Sequence, residues 1–360
     1  MLLFVQILIF SSLILTSFLS ITNPRKVNRK ANMWFGIMLL IWSSFWYEEV
    51  LVVSGFEINS PWVHSTIYFF QFISSQVLYI SVIFFTNPNY RFKTKDLLFL
   101  VVPAIYATLL FFQNELSSDF KPIRLILLFL HSLFYNFISY LRIRRHRKKT
   151  ENFSSNPQEI NLQWLEYIIL ALLIIAVSTA ILNLAFYEHP INPYLALATL
   201  ITIFFIGYGL SKQKEIFPID QKQRKDVLAL NEQGIYGIKK RKLFSEEKLV
   251  ELKSKINTHM IEREPHLDND INLAGLSDQL ELSPHQLSYV INNGFNENFY
   301  HFINRHRVDK AKSLLSGTIS DKYSILGIAF ESGFNSKTSF NTAFKNVTGQ
   351  TPSEFKKKQS

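Results

Sequence analysis

The chain has 360 residues, 48% of them hydrophobic, with 33 Phe, no Cys and a formal net charge of +10. The length leaves room for two or three domains, and the lack of Cys excludes disulfides and thiolate metal sites. Residues 1–211 hold 15 Lys/Arg and 10 Asp/Glu, placed around long uncharged runs, whereas residues 212–360 hold 23 and 18, mixed throughout. An apolar part therefore ends near residue 211 and a soluble part follows it.

Residues 2–21 carry no charge and are long enough to cross a bilayer. A signal peptide would have basic residues before its apolar core and a small-residue cleavage site after it. Here Arg25, Lys26, Arg29 and Lys30 follow the run, and Ser17-Phe18-Leu19-Ser20 is a poor cleavage site. The run reads as a retained span. Further apolar stretches cover about 33–54, 62–86, 97–113, 122–141, 162–187 and 191–210. The one from 97 is short and holds Pro103, which membrane helices tolerate.

Lys and Arg in the short loops set the expected orientation. The first loop has the four cations just named. The third has Arg91, Lys93 and Lys95, and the fifth has Arg142, Arg144, Arg145, Arg147, Lys148 and Lys149. The loops between them hold only Lys121 and Arg124. Thirteen cations against two place the N-terminus outside and everything after the seventh span in the cytoplasm. In a bacterium that is the inner (cytoplasmic) membrane. The outer loops are too short to fold into a sensory domain, so a small-molecule or envelope signal must be read by the spans themselves. Polar groups inside the spans mark where: Glu48, Glu49, His64, Gln71, Gln76, His131, Asn136 and Asn183. Charges at mid-membrane are costly and face the bundle interior. Glu48, Glu49, His64 and His131 read either as a small-ligand or proton site, or as interfacial carboxylates and helix–helix hydrogen bonds.

Residues 212–244 are polar, with Pro218, Gly234 and Gly237, and read as a cytoplasmic linker. Lys239, Lys240, Arg241 and Lys242 suit anionic lipid headgroups, DNA phosphates or plain solvent. Two such linkers held together in a homodimer could carry a signal through a change in their separation. Ser245 then looks like an N-cap, with Glu246 and Glu247 favouring the helix dipole. Leu249, Leu252, Ile256 and Met260 form a stripe that packs on the domain or on a second copy.

The remainder reads as two helical pairs joined by a strut. In the first, over 271–293, Leu273, Leu276 and Leu280 mark one helix. Ser283-Pro284-His285-Gln286 opens the next as a capping box with Pro at the first position. Leu287, Val290 and Ile291 form its buried face, and His285, Ser288, Tyr289 and Asn292 point away. Residues 297–315 form one helix of about 28 Å, long enough to set two readers in successive major-groove segments about 34 Å apart. In the second pair, over 324–347, Ser324 caps Ile325, Ile328 and Ala329. Gly333 stops that helix, and after Asn335 a new one buries Phe340, Ala343, Phe344 and Val347. Its polar face carries Lys337, Thr338, Asn341, Thr342 and Lys345.

The spacing of Ile328-Ala329, Gly333-Phe334, Ser339-Phe340, Phe344-Lys345 and Gly349-x-Thr351-Pro352 closely resembles the second helix-turn-helix of the AraC/XylS family of transcription regulators. The resemblance covers roughly residues 265–360. It implies promoter DNA and RNA polymerase as partners. It also implies base-reading roles for His285, Ser288 and Tyr289 in the first pair, and for Lys337, Thr338, Asn341 and Thr342 in the second. From Pro265 to Asn304 there is no Lys or Arg. Phosphate contacts must come from Arg305, Arg307, Lys310, Lys312, Lys337 and Lys345, with Lys356, Lys357 and Lys358 in reserve. The second reader is thus expected to dominate.

The expected fold is all-α. A seven-span transmembrane helix bundle (1–211) and a linker (212–244) precede a cytoplasmic helical domain with two helix-turn-helix motifs (245–360). No catalytic motif, cofactor motif or metal cluster stands out; His301 and His306 lie five apart without a third ligand. The competing classes are a membrane transporter or enzyme with a regulatory tail, and a helical tail that binds protein rather than DNA.

Overall fold

In a computed structural model, the structure describes residues 2–58, 60–112, 120–160, 162–185, 193–217, 224, 227–228, 243–316 and 323–359. The chain forms two compact units, one of Met1–His146 with Leu162–Ile216, the other of Arg147–Asn161 with Phe217–Ser360. The basic cluster Lys239–Lys242, together with Pro218, Gly234 and Gly237, lies outside the described residues.

The first unit is helical: α1 (Leu2–Thr22), α2 (Arg29–Ser43), α3 (Tyr47–Ser54), α4 (Pro61–Thr86), α5 (Val101–Phe111), α6 (Phe120–Thr150), whose last turn from Arg147 belongs to the second unit, then, after a short α7 (Pro157–Ile160) also of the second unit, α8 (Gln163–Ala185) and α9 (Pro193–Lys212). Among the described residues, seven helical stretches are long and apolar enough to cross a membrane: Leu3–Thr22, Arg29–Ser54, Pro61–Thr86, Thr94–Phe111, Ile123–Thr150, Gln163–Leu182 and Pro193–Lys212. Each falls on one expected stretch. The fifth differs most. Its helix runs nine residues past the apolar run that ends at 141, through Arg142–Lys149, to Thr150. Loss of apolarity marks where a hydrocarbon layer would end, and Lys and Arg are good helix formers.

Small residues let these helices approach closely, as in membrane bundles. Ser17 Oγ donates to the Gly36 carbonyl at 2.7 Å and Ser20 Oγ to the Asn32 carbonyl at 2.8 Å, joining α1 to α2. Ser81 Oγ of α4 donates to the Ala31 carbonyl at 2.9 Å. Asn32 and Gln213 exchange reciprocal side-chain amide bonds of 3.0 and 3.1 Å. Arg142 Nε donates to Thr86 Oγ1 at 2.6 Å, fixing α6 to α4. Facing outward are large apolar side chains, among them Phe4, Ile174 and Phe204.

In the second unit α10 (Glu246–Glu262) is capped by Ser245, whose Oγ accepts from the Lys248 amide. A 3-10 turn at Pro265–Leu267 precedes the first helical pair, α11 (Leu273–Gln279) and α12 (Pro284–Val290). The expected capping box is present: Ser283 Oγ accepts from the Gln286 amide at 3.2 Å, and the Ser283 amide donates to Gln286 Oε1 at 2.9 Å. A π turn over Ile291–Phe295 leads to α13 (Phe299–Ser316), which starts two residues later than read because Asn298 caps it. The second pair is α14 (Ile325–Glu331) and α15 (Lys337–Thr348), capped by Ser324 and Ser336, and α16 (Pro352–Gln359) closes the domain.

Val308, Ala311 and Leu315 of α13 pack with Ile328, Ala329, Phe334, Phe340, Ala343 and Phe344 in one core. Each buried Phe contributes about 2–3 kcal/mol of transfer free energy. Val347, expected on this face, is exposed. Gly349 ends α15 in a left-handed turn, and Phe355 of α16 folds back onto Phe344, 5.4 Å away, rather than onto Val347.

Arg307 ties the unit together. It is fully buried, donating from Nε to the His266 carbonyl (2.8 Å) and from Nη2 to the Asp268 carbonyl (2.8 Å) and Ser155 Oγ (3.2 Å). Burial lowers its pKa to about 10, opposed by Asp268, Tyr300 and Asp270, so it stays charged at neutral pH. Gly333 sits beside the same turn with φ +83°, and a Cβ there would lie 2.9 Å from the Leu267 Cα. Gly333→Ala is therefore expected to destabilise this unit by about 2 kcal/mol or more, read as faster amide exchange across α13–α15; unchanged exchange would contradict the packing.

Two histidines lie nearby, His266 and His306, with ring centroids 5.7 Å apart. Burial lowers both to about 4 from the ordinary 6.5; Arg305 adds to this for His306, while Glu264 opposes it for His266. Both are neutral in the fold, so the unfolded chain binds more protons between these values. The stability they contribute is complete above pH 6.5 and is lost as pH falls towards 4. The unit should melt several degrees lower at pH 5 than at pH 7, and His306→Phe, which keeps a ring against Phe302, should flatten that dependence.

Candidate nucleic-acid interface

Helix α15 is built to show one face. Phe340, Ala343 and Phe344 are buried, while Lys337, Thr338, Thr342 and Lys345 are exposed and Asn341 is half-buried. The Ser336 cap, accepting from the Ser339 amide at 3.1 Å, fixes where the helix starts and hence which residues lead it. All four expected base-reading residues of this helix thus share one accessible face at its leading end. The first turn has Lys337 at the positive end of the helix dipole, where an anion is favoured.

The first pair offers less. His285 is half-buried, but Ser288 is 3% exposed and Tyr289 7% exposed. Neither can reach a base in this conformation, contrary to expectation. Two causes are visible. Phe244, just before α10, covers the Tyr289 ring at 5.7 Å in a T-shaped contact. The Asn292 side chain turns back to donate to the Ser288 carbonyl at 2.7 Å. A helical period places side chains on a face but does not say what the preceding segment lays over it.

The expected phosphate contacts also divide. Arg307 is in the core and unavailable to DNA. Arg305 makes a two-pronged pair with Glu297, with Nε to Oε1 at 3.0 Å and Nη2 to Oε2 at 3.0 Å. Lys310 pairs with Glu264 at 2.8 Å, holding that carboxyl below its usual range, and Lys312 pairs with Asp309 at 3.3 Å. Such part-exposed pairs are worth little, so these three can exchange a carboxylate for a phosphate. Lys345 is exposed, as are Lys357 and Lys358 on α16.

Of the candidate sensing residues, Glu48 and His64 come together: Tyr47 Oη donates to Glu48 Oε1 at 3.1 Å and lies 2.7 Å from His64 Nδ1. Glu49 is elsewhere, accepting from Gln6 Nε2 at 3.0 Å. His131 is buried in an aromatic stack, 4.0 Å from Phe72 and 4.7 Å from Tyr135. The four do not form one site. The side chain of Asn183 lies outside the described residues. Among the described residues no group of three or more His, Asp or Glu is arranged to hold a metal ion.

One segment was not legible. Residues Glu151–Asn156, which no motif singles out, lie on the helical domain of the second unit. Phe153, a lone apolar residue in a polar stretch and 4% exposed, was the available signal.

Residues 276–358 match the model of a helix-turn-helix domain family. An uncharacterized HTH-type transcriptional regulator of Staphylococcus aureus strain COL is 36% identical over 93 residues, which is 26% of this chain and 12% of that protein. Counterparts in strains MSSA476 and N315 match to the same extent. The chain spans about an eighth of the length of these relatives. No solved structure matches. Residues 276–358, under a quarter of the chain, are therefore a helix-turn-helix domain of the transcription-regulator type, which points away from an enzyme.

Proposed function

We propose that the protein is a membrane-integral transcription regulator of the AraC/XylS kind, held by seven spans with its N-terminus outside and its helix-turn-helix domain in the cytoplasm. The observation that carries this is the exposed face of α15. Lys337, Thr338, Asn341, Thr342 and Lys345 line a helix whose opposite side is locked into the core by Phe340 and Phe344. A rigid helix presenting polar and basic groups from its N-terminal end is what major-groove reading requires. Large apolar side chains on the outer faces of the seven apolar helices support the membrane part of the reading. The loop cations support the orientation. Both helical pairs act as helix-turn-helix units, with the second supplying most of the specificity and His285 the main contribution from the first. The membrane bundle is the sensing part, with the Tyr47–Glu48–His64 group as its candidate polar centre.

The test uses the full chain in detergent with duplex DNA chosen by random-site selection. Asn341→Ala should cost about 1–3 kcal/mol and relax preference at one base position. Lys345→Ala should weaken all sequences alike and lower the salt dependence by about one phosphate contact. Tyr289→Phe should leave affinity unchanged. Equal affinity and salt slope for the Asn341 and Lys345 variants and the unsubstituted chain would contradict the assignment of α15 as the reader.

A further inference from the structure

The segment Glu151–Asn156 is seated on the helix-turn-helix domain by a set of specific bonds. The Glu151 carbonyl accepts from the Tyr300 amide at 3.0 Å, and the Phe153 carbonyl from the Leu273 amide at 2.9 Å. Asn298 Nδ2 donates to the Glu151 carboxylate at 3.4 Å. Ser154 pairs antiparallel with Asn272. Ser155 Oγ donates to the Ile271 carbonyl at 2.6 Å and accepts from Arg307, and the Asn156 side-chain amide donates to the Asn269 carbonyl. Phe153 is buried, its ring stacked on Phe217 at 5.7 Å. Beyond it, Ser155, Asn156 and Pro157 face Asn335, Ser336 and Ser339, at the leading end of α15, across a cavity of about 140 Å³ that Tyr300 also lines.

Two features distinguish this strap from ordinary packing. Its bonds are replaceable. The Tyr300 amide lies in the first turn of α13, where no intrahelical carbonyl is available and water or any other acceptor serves. Arg307 keeps the His266 and Asp268 carbonyls when Ser155 leaves. The strap also uses donors of the kind that DNA uses. Backbone amides at helix starts and Asn side chains are regular partners of phosphate oxygens. Here they are occupied by two carbonyls and a carboxylate, standing beside the turn from which Lys337 and Thr338 project.

We propose that residues 151–157 form an autoinhibitory latch, an internal stand-in for the DNA backbone that leaves the reading face of α15 open but occupies the amide and Asn donors beside it, so that phosphates must displace it for the domain to bind tightly. The latch is the direct continuation of α6, which ends at Thr150. Movement of that helix is the lever that seats or releases it. The inference rests on the reading of the domain as a DNA binder.

The test is a lock. Ser154 and Asn272 face one another in an isolated antiparallel bridge, a spacing that a disulfide can span, and the chain has no Cys to compete. The double variant Ser154→Cys with Asn272→Cys, in the full chain in detergent, is oxidised and then reduced. Maleimide labelling reports the bond, and fluorescence anisotropy reports binding to a selected duplex. The expected result is a disulfide that forms readily and lowers affinity at least tenfold, with recovery on reduction. Equal or tighter binding by the oxidised form would show that the strap stays in place on DNA and overturn the latch. Thiols that remain open to maleimide under oxidant would show that the strap is not seated, with the same consequence. A bond that forms in a protein that binds no duplex in either state, with the unsubstituted chain also inactive, would overturn the DNA-binding reading and the latch with it.

Discussion

A guanidinium with no exposure to water must find acceptors inside the fold, and Arg307 finds them in two segments far from it in sequence. It sits on the strut helix α13, holds the carbonyls of the turn before the first helical pair, and takes the hydroxyl of Ser155. Its charge also lies 5.7 Å from the ring of Phe334, in the turn between α14 and α15. Leaving such a charge unpaired would cost several kcal/mol, so these segments are fixed relative to one another by one side chain. Gly333 completes the arrangement, since only a residue without a Cβ can bring the second turn against Leu267.

On this frame the two helical pairs are unequal. The second displays its polar face from an aromatic core. The first has Tyr289 beneath Phe244 and Asn292 bonded to its own helix. The cations of the strut are held by Glu297, Glu264 and Asp309. A phosphate would have to take the place of a carboxylate at each of these three cations, a modest cost for part-exposed pairs.

Much of this was legible in the sequence because it rests on local rules. Uncharged runs of about 20 residues gave the apolar helices. Ser245, Ser283 and Ser324 are the caps that their positions suggest. Phe340, Ala343 and Phe344 are buried as their spacing requires. What was not legible is non-local. Arg307 looks like any strut cation until the fold closes around it. Ser288 and Tyr289 lie on the face that periodicity leaves open, yet Phe244 and the π turn after Val290 close it. The strap joins residues more than a hundred positions apart through backbone carbonyls, and main-chain pairing of that kind leaves almost no mark on side-chain composition.

The central claim, that α15 makes this a sequence-specific DNA-binding protein, is tested most directly by random-site selection with the purified full chain. The account predicts reproducible enrichment of a short element whose preference at one position disappears in the Asn341→Ala variant. An unenriched pool, from a chain shown to be folded by the melting of its helical domain, would contradict it.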